Sequence, residues 1–481
     1  MMSKSKAEKN KQNLKGANLQ GADFTGTNLM QANLRGANLM QANLNEAKLN
    51  GAKLIRADLT GADLTGTDLT GTDLTEAKLT DTNFTRAILI EAKLIRADLT
   101  GTNFTRANLM WVNLTLADLT GAIFTETKLM QAILIETNFT RANLMQTKLT
   151  EADLTRANLM RANLTLADLT GANLTEANLM QANLIETNLT RTNLTRTNLT
   201  GVELTRAIFM RANLTGAKFI GANLTETDFT MANLTKADFT GAKLIGADLT
   251  DINLQGANLM WANLRGADLT KTNLMWAKLI GADLTKTNLM GTNLIGADLT
   301  ETVLRGANLT GANLMRANLM CTNFTRANLT EVKLMLANLT ETNLRGANLM
   351  WAILKGANLT ETNLTEANLQ GANLSGANLT GAKLTGADLR EANYSILIMH
   401  RIDWGELSDE LTLELMRHNA EICGNKAMTD WVKGGQCPFS TGNIQKLFHF
   451  NEKKELWKPG KPKLHNMKLW KALCKEKDIK I

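Results

Sequence analysis

The residues that most often carry enzyme or metal chemistry are scarce in this chain and concentrate in its last 86 positions. All four histidines and three of the four cysteines lie there. Cys423 and Cys437, with His418, His449, His465 and Cys474, could supply the nitrogen and sulfur ligands of a tetrahedral zinc ion. The close Cys-x-x-Cys pairing of strong zinc sites is missing, which favours core or loop cysteines. We therefore predict no metal and no cofactor.

The rest of the chain offers no arrangement for nucleophilic catalysis. Residues 13–395 contain no histidine and one cysteine, Cys321, so neither a Ser-His-Asp nor a Cys-His arrangement can be built from them. Pairs of acidic residues in a repeated sequence are more often solvated or ion-paired than catalytic. The sequence predicts a protein that is not an enzyme.

Exposed anchors for a partner are the second kind of candidate. Each of the four tryptophans before residue 395 follows a methionine and stands three residues before a leucine, at a position expected to face solvent. Exposed Met and Trp can anchor a partner, although isolated large side chains more often lie flat on the surface. With two tryptophans of the lysine-rich tail, the candidate partner-binding residues are Trp111, Trp261, Trp276, Trp351, Trp457 and Trp470.

The tail itself is strongly basic. Residues 446–481 hold eleven lysines against four acidic residues, interleaved with aromatic side chains. The pattern is compatible with a nucleic acid or an acidic protein as partner, and also with a folded cap that has a solvated lysine face. Residues 14–394 carry 34 basic and 34 acidic side chains, so the formal charge of +7 lies at the two ends.

A strict five-residue repeat must position these candidates. From Leu14 to Tyr394 every fifth residue is large and apolar, which gives 77 consecutive positions with 66 leucines and ten phenylalanines. Ala or Thr stands two residues before nearly all of them, and the consensus is A/T-N/D-L-x-x. A period of five fits neither an amphipathic helix nor a long strand, so the chain must turn at every repeat.

Segments such as Ala17–Gly21 (ANLQG) and Ala22–Gly26 (ADFTG) resemble the pentapeptide-repeat family, and the resemblance covers residues 13–395. It implies an all-β solenoid, a right-handed quadrilateral β-helix in which four pentapeptides form one coil. The repeats would make about 19 coils and, at ~4.8 Å each, a rod roughly 90 Å long. Some relatives mimic duplex DNA and bind type II topoisomerases. Such mimicry needs strong negative potential, and the balanced charge of the repeats argues against it.

A hidden period of twenty supports the coil independently. Residues twenty apart should lie directly above one another, and charges at this spacing alternate in sign, as in Arg56, Glu76 and Arg96. Seven of the ten phenylalanines also follow it, in three columns: Phe84, Phe104 and Phe124; Phe209 and Phe229; Phe219 and Phe239. The repeat therefore predicts stacked rings inside the coil and paired charges outside it.

The composition divides the chain into a basic N-terminal tail over residues 1–12, the β-helix over 13–395, and an α-rich module over 396–481. An open β-helix end exposes apolar core and unpaired main chain, so the module is expected to cap the last coil through Ile396–Met399. The N-terminal end lacks such an apolar segment. We expect that end to fray or to be covered by another subunit, and relatives in the family form end-to-end homodimers.

Three helices are predicted in the C-terminal module. The first begins after Ser408 and ends near Gly424, the second covers Lys426–Lys433, and the third covers Lys463–Lys475. A short strand is predicted over Leu447–Phe450. About 85 residues of this kind can bury a small core of their own.

Neither a secretory signal nor a membrane span of ~20 apolar residues is visible in the sequence. Four cysteines in 481 residues do not suggest a disulfide framework, so we predict a cytoplasmic protein that does not enter a membrane. The predicted function is that of a protein-binding scaffold with a C-terminal cap and an unknown protein partner. A nucleic-acid-associated role of the basic tail and a topoisomerase mimic are the alternatives.

Overall fold

The computed structural model of the protein describes residues 2–422, 426–434, 454–456 and 458–481. The strand predicted over Leu447–Phe450 lies outside these residues. The chain divides into two units, Met1–Asn263 and Leu264–Ile481. Pentapeptides of the same kind build the first unit from residue 13 onward and the larger part of the second.

Main-chain pairing in both units joins residues twenty apart. Asn18 forms a parallel bridge with Asn38, Asn38 forms one with Asp58, and the same step recurs within each unit. Each pentapeptide contributes one bridged residue, so four pentapeptides complete a coil with four sides. The predicted period of twenty is confirmed. In the described residues none of these bridges extends into a longer strand.

Three main-chain hydrogen bonds on each side hold neighbouring coils together, and one of them is donated by the corner residue, as from the amide of Gly21 to the carbonyl of Met40 at 2.8 Å. The amide of Leu19 donates to the carbonyl of Asn38 at 2.7 Å, and the amide of Asn38 donates to the carbonyl of Ala17 at 2.9 Å. Both the central apolar residue and the residue before it must therefore have a main-chain N–H. Proline has none, and this explains its absence from residues 13–395.

Each corner of a coil is a four-residue turn that starts at the central apolar residue. The amide of Ala17 donates to the carbonyl of Leu14 at 3.1 Å, and Gly16 between them has φ +64°. The same position keeps this left-handed conformation where it is not glycine, as at Arg56 with φ +57°. Because that conformation costs an L-residue roughly 1–2 kcal/mol, glycine is frequent at the corners.

The central residue of each repeat and the Ala or Thr two positions before it fill the interior, and nearly all of them are buried. The predicted phenylalanine columns are confirmed. Phe104 stacks on Phe84 with ring centroids 5.0 Å apart and on Phe124 with centroids 4.8 Å apart. Two further pairs stack at 4.9 and 4.8 Å, namely Phe209 with Phe229 and Phe219 with Phe239. Within each of these three columns, one ring per coil thus continues the core from one coil to the next.

Opposite charges on neighbouring coils pair on the surface of the first unit, as the spacing predicts. Arg56 Nε lies 2.6 Å from a carboxylate oxygen of Glu76. Arg206 lies between Glu186 and Glu226, with nitrogen to oxygen distances of 3.5 and 2.9 Å. These pairs are exposed to solvent, so they favour the correct register of the coils more than they add to stability.

The N-terminal end is covered by residues of the chain itself. Helix α1 (Lys4–Lys9) buries Ala7 completely, and a 3₁₀ turn (Lys11–Asn13) leads into the first coil. Glu8 accepts a hydrogen bond from the main-chain N–H of Asn28 at 2.7 Å. The expectation of a frayed end is thereby corrected, and cover by another subunit stays a prediction. A polar side chain can satisfy the open main-chain groups of a coil end, so the scarcity of apolar residues in this segment does not leave the end uncovered.

The C-terminal module is made of short helices. In its described residues a 3₁₀ turn leaves the last coil, and the later elements are three α-helices and another 3₁₀ turn, with these bounds: Ile396–His400, α2 (Asp409–Ile422), α3 (Lys426–Val432), Lys454–Leu456 and α4 (Asn466–Glu476). Helix α4 begins three residues later than predicted. The reason is that the main-chain N–H groups of Lys463 and Leu464 are bonded to the Glu414 carboxylate of α2 instead of starting a helix.

This module closes the last coil through main-chain hydrogen bonds. The amide of Leu389 donates to the carbonyl of Lys480 at 2.6 Å, and the amide of Lys480 donates to the carbonyl of Ala387 at 2.9 Å. On another side, the amide of Asp403 donates to a carbonyl of the last coil at 2.8 Å. Met399, from the 3₁₀ turn that leaves the coil, is fully buried. Lys480, near the end of the chain, therefore forms with the last coil the same two bonds that Asn38 forms with Leu19 and Ala17 in the first coils.

A buried polar cluster joins α2 to the segment before α4. His418 Nε2 lies 2.6 Å from the carbonyl oxygen of Leu464, and the centroid of its ring lies 6.3 Å from that of His400. Burial, and to a smaller extent the neighbouring His418, lower the pKa of His400 to about 4, although a contact with Asn419 acts in the opposite direction. His400 is therefore neutral in the folded module at neutral pH.

Replacing Phe104 by alanine should lower the stability of the first unit by about 3–5 kcal/mol, because the substitution leaves a cavity between two stacked rings. The matched control is Phe104→Leu, which restores the commonest core residue of the repeat and should cost less than about 1.5 kcal/mol. Denaturant unfolding followed by circular dichroism measures both variants. Equal losses in the two would mean that the stacked rings do not stabilise the coil.

The C-terminal module should lose stability as the pH falls from about 6.5 to about 4. The folded pKa of His400 is about 4 against an ordinary value of 6.5. The unfolded chain therefore binds the proton first, and protonation favours unfolding, while above pH 6.5 the contribution of His400 is complete. Hydrogen-exchange protection factors in α2 should fall over this range in the wild type and much less in His400→Leu. A fall of the same size in both would contradict the assignment.

Candidate functional site

The corner position of the repeat carries all four tryptophans of the coils. Trp111, Trp261, Trp276 and Trp351 have φ of 58–59° and exposed fractions of 46, 58, 58 and 49%. The next residue in each case is the small one that enters the core, so the corner side chain is left on the outside. The four indoles are exposed as expected, and their role as partner contacts stays a prediction.

Two of these indoles lie flat over a glycine of the following coil. A β-carbon added to Gly296 would lie 2.3 Å from Cζ3 of Trp276, and one added to Gly371 would lie 2.2 Å from Cε3 of Trp351. Only glycine leaves room for the ring at these two corners. Each ring is thus supported on one face, while a large part of it remains accessible to a partner.

Trp276 stands at one end of an apolar row in the second unit. The position directly after the central leucine is apolar in four successive coils, and these side chains are half-buried. Main-chain bonds place them side by side, as where the amide of Trp276 donates to the carbonyl of Ile295 at 3.1 Å. Leu336, at the other end, is as exposed as Trp276, at 58%. We call this surface the Met-Trp ridge, and its residues are Met275, Trp276, Ile295, Met315, Met335 and Leu336.

The Met-Trp ridge has the composition of a protein interface. Trp276 offers a large contact area at little entropic cost, because Gly296 already supports its ring. The methionines can adapt their shape to a partner. Arg316, at the corner between the two ends, adds the residue type that is enriched with Trp and Met in interfaces. The ridge can therefore bind an apolar surface or the apolar face of a helix.

A smaller group of the same kind lies in the first unit. Ile90, Met110 and Met130 occupy the position after the central leucine in three successive coils, and Trp111 stands at the corner beside Met110. The amide of Trp111 donates to the carbonyl of Met130 at 3.2 Å, which places these residues next to each other. Here the indole Nε1 donates to Gln131 Oε1, so a hydrogen bond orients the ring instead of a glycine.

The two tryptophans of the tail differ from those of the coils. Trp470 is 2% exposed, and its ring centroid lies 5.6 Å from that of Tyr394 and 5.8 Å from that of Trp404. The prediction of an exposed partner anchor is thereby corrected for Trp470, because the apolar face of α4 on which it lies forms the core of the module. Trp457 lies outside the described residues.

The lysines of the described tail are on the surface. Those that are exposed in and around α4 are Lys458, Lys461, Lys463, Lys468, Lys471, Lys475 and Lys480. They surround a helix whose other face is buried in the module. This part of the tail is therefore a folded segment with a solvated lysine face, which a nucleic acid or an acidic protein can still approach.

Nucleophilic and metal-binding residues form no site in the part of the chain that the structure describes. Cys321 is exposed at a corner, and desolvation, with smaller effects of Glu341 and Glu301, raises its pKa. A raised pKa lowers the thiolate fraction at neutral pH, which makes Cys321 a weak nucleophile. In the same residues no group of three or more His, Cys, Asp or Glu is placed to hold a metal ion. Cys423 and Cys437 lie outside them.

The neighbours of Trp276 in the Met-Trp ridge are not evident from the five-residue pattern. Read in steps of five, Ile295, Met315 and Met335 fall at a variable position that is most often threonine. Read in steps of twenty, they form an unbroken apolar row with Met275. The signal for the ridge is thus present in the sequence, but only at the spacing of one whole coil.

Several solved structures contain chains that are similar to this one. HetL, a pentapeptide repeat protein involved in heterocyst differentiation regulation from the cyanobacterium Nostoc sp. strain PCC 7120, is 34% identical over 51% of this chain and 90% of its own, with a TM-score of 0.23. A pentapeptide repeat protein from the Arabidopsis thaliana thylakoid lumen is 35% identical over 24% of this chain and 69% of its own, with a TM-score of 0.18. QnrB1, a plasmid-mediated fluoroquinolone resistance protein, is 19% identical over 34% of this chain and 83% of its own, with a TM-score of 0.25.

No protein with curated annotation matches this chain. The family model for pentapeptide repeats matches successive segments that together span residues 13–393. That span ends within two residues of the repeat run predicted from the sequence. The chain therefore belongs to the pentapeptide-repeat family.

Proposed function

We propose that this protein is a non-enzymatic scaffold whose β-helix binds a protein partner through the Met-Trp ridge. The observation that carries the proposal is the exposed Trp276 ring, which lies over Gly296 at the end of an apolar row. A single indole on a surface needs no partner. A row that spans four coils and has a large exposed side chain at each end is a contiguous apolar surface, and such surfaces mark interaction sites.

The structural use of the repeat residues supports a non-enzymatic role. The central residue and the Ala or Thr before it fill the core, and the residue between them bonds within the turn. At one such turn, the main-chain N–H and the hydroxyl of Thr25 donate to Asp23 Oδ1 at 3.0 and 2.6 Å. These hydrogen bonds are the largest cause that lowers the pKa of Asp23 to about 2. Such a carboxylate is a poor general base at neutral pH.

We take the coils to be right-handed and about 19 in number, and the chain to consist of a tail (1–12), the β-helix (13–395) and a capping module (396–481). An end-to-end homodimer would have to form over α1 or over that module. We also place the protein in the cytoplasm, because its four cysteines suggest no disulfide framework. Among the described helices, none is long and apolar enough to cross a membrane.

A nucleic-acid-associated role is the second candidate, and the exposed lysines around α4 favour it. Mimicry of DNA toward a type II topoisomerase is disfavoured, because 34 basic and 34 acidic side chains in residues 14–394 give no strong negative potential. The fluoroquinolone resistance of QnrB1 is not carried over to this chain. Its 19% identity supports a common fold and nothing more specific.

Two charges placed on the Met-Trp ridge should abolish partner binding by the full chain. In a quantitative pull-down we expect Met315→Lys with Leu336→Glu to reduce a protein retained by the wild type at least tenfold. The reason is that a charge is costly to bury in an apolar interface. Both side chains lie on the outside of the coil, so the fold should tolerate the changes.

The matched control is Thr310→Lys with Thr330→Lys, which adds charges to another side of the same unit. Circular dichroism checks that both variants fold. The scaffold proposal is wrong if the pull-down finds no protein that this control retains and the ridge variant loses. A third variant combines Lys468→Gln with Lys471→Gln. If only this variant loses the partner, the contact lies at α4, and this result favours the nucleic-acid-associated role.

A further inference from the structure

A row of basic side chains runs along another corner of the second unit. Successive coils carry Arg265, Lys286, Arg305, Arg326 and Arg345 there, one cation in each coil, and all five are exposed. Main-chain hydrogen bonds place them on neighbouring coils. The amide of Lys286 donates to the carbonyl of Arg305 at 3.0 Å, and the amide of Arg326 donates to the carbonyl of Arg345 at 3.0 Å. We call these five residues the basic ladder.

The corresponding corner of the first unit carries two groups of paired charges, although Arg86 and Arg106 are like charges on neighbouring coils there. Arg206 lies between Glu186 and Glu226 at 3.5 and 2.9 Å, and Arg106 lies 3.0 Å from Glu126. Opposite charges on neighbouring strands attract and like charges repel, so folding alone favours alternation. Five cations in succession are therefore an arrangement that the stability of the coil does not explain.

Acidic side chains meet the basic ladder at its two ends. Arg265 lies 3.9 Å from Asp283, and Arg345 lies 3.4 Å from Glu366. Among the described residues, no carboxylate lies within 4.0 Å of the three cations between them. The middle of the ladder thus keeps its positive charge unneutralised and exposed to solvent.

The surroundings of the basic ladder suit an extended anion. At ~4.8 Å per coil, its four steps span about 19 Å. The nearest outward positions beside Arg305 and Arg326 carry neutral side chains, and these are Val303, Asn308, Asn323 and Asn328, while Asp283 lies beside Lys286. A β-carbon added to Gly346 would lie 3.6 Å from Cγ of Arg326, so a glycine in the next coil leaves room for the arginine stem. An anion along this corner would meet no carboxylate beside Arg305 and Arg326.

We propose that the basic ladder binds the phosphate backbone of a single-stranded nucleic acid. Four of its five cations are arginines, and the planar guanidinium group binds phosphate through two parallel hydrogen bonds. A single strand is a linear anion with one charge per nucleotide and can extend along a straight row. The backbone of a duplex winds away from such a row, and a globular acidic protein presents its charges at irregular spacing.

The ladder contains no aromatic side chain on which a base could stack. Binding should therefore depend on the backbone, with little preference for sequence. Lys286 follows Trp276 by ten residues, which is half a coil, so the basic ladder and the Met-Trp ridge lie on opposite sides of the second unit. A nucleic acid and a protein partner could occupy the two surfaces together.

Fluorescence anisotropy of a labelled oligothymidylate with the full chain tests this assignment. Three to five phosphate contacts predict that the logarithm of the affinity falls with the logarithm of salt concentration with a slope of about −2 to −4. Neutralising the middle of the ladder with Lys286→Gln, Arg305→Gln and Arg326→Gln should weaken binding by about tenfold or more. It should also make the slope shallower by about 2.

Two variants with the same loss of charge serve as controls. One removes three arginines from ion pairs of the first unit: Arg106→Gln, Arg156→Gln and Arg206→Gln. The other neutralises three lysines of α4: Lys468→Gln, Lys471→Gln and Lys475→Gln. We expect less than about a twofold change in affinity with either, because neither touches the ladder.

Four results would overturn the assignment. The first is an absence of salt-dependent binding by the wild type. The second is an equal loss of affinity in all three variants, and this would indicate that only net charge matters. Loss confined to the α4 variant would place the nucleic acid on the tail. A dimer that sedimentation detects in the wild type and not in the ladder variant would assign the ladder to acidic groups of a second copy.

Discussion

The structure depends on one constraint, the pairing of each coil with the next through main-chain hydrogen bonds between residues about twenty apart. Because side chains alternate between inside and outside, one extra residue in a coil would move a leucine such as Leu19 out of the core and expose it. The bonds from Leu19 to Asn38 and from Asn38 to Ala17 fix this register at the first coils. Core filling, turn geometry and the absence of proline all follow from it.

This constraint leaves the outward positions free to differ between coils. The corner must adopt positive φ, yet it accepts glycine, charged residues and tryptophan alike. Columns of outward residues, which lie twenty apart on successive coils, can therefore differ in charge and polarity on the same scaffold. In the second unit one column is apolar around Trp276, and the column half a coil away is basic around Arg305. In the first unit the column around Arg206 alternates in sign and stabilises itself.

The two ends of the repeat need different solutions, because each exposes main-chain groups that no further coil can satisfy. At the start, α1 uses the Glu8 carboxylate to accept a bond from Asn28. At the end, Lys480 supplies its own N–H and carbonyl to Ala387 and Leu389, and so replaces the missing coil. The second solution makes the folding of the C-terminal module part of the stability of the last coil. In the same module Trp470, from the lysine-rich segment, is buried with its ring centroid 5.6 Å from that of Tyr394.

The sequence by itself determined the coil, its core, the stack of Phe104 with its neighbours and the ion pair of Arg56 with Glu76. In a repeat of fixed length, spacing along the chain becomes contact in space, so each of these features can be counted from the sequence. Tertiary structure alone decided that Trp470 is buried, that α1 covers the first coil and that Lys480 pairs with the last. Those contacts join segments with no periodic relation to each other, and only the packing of the folded chain brings them together.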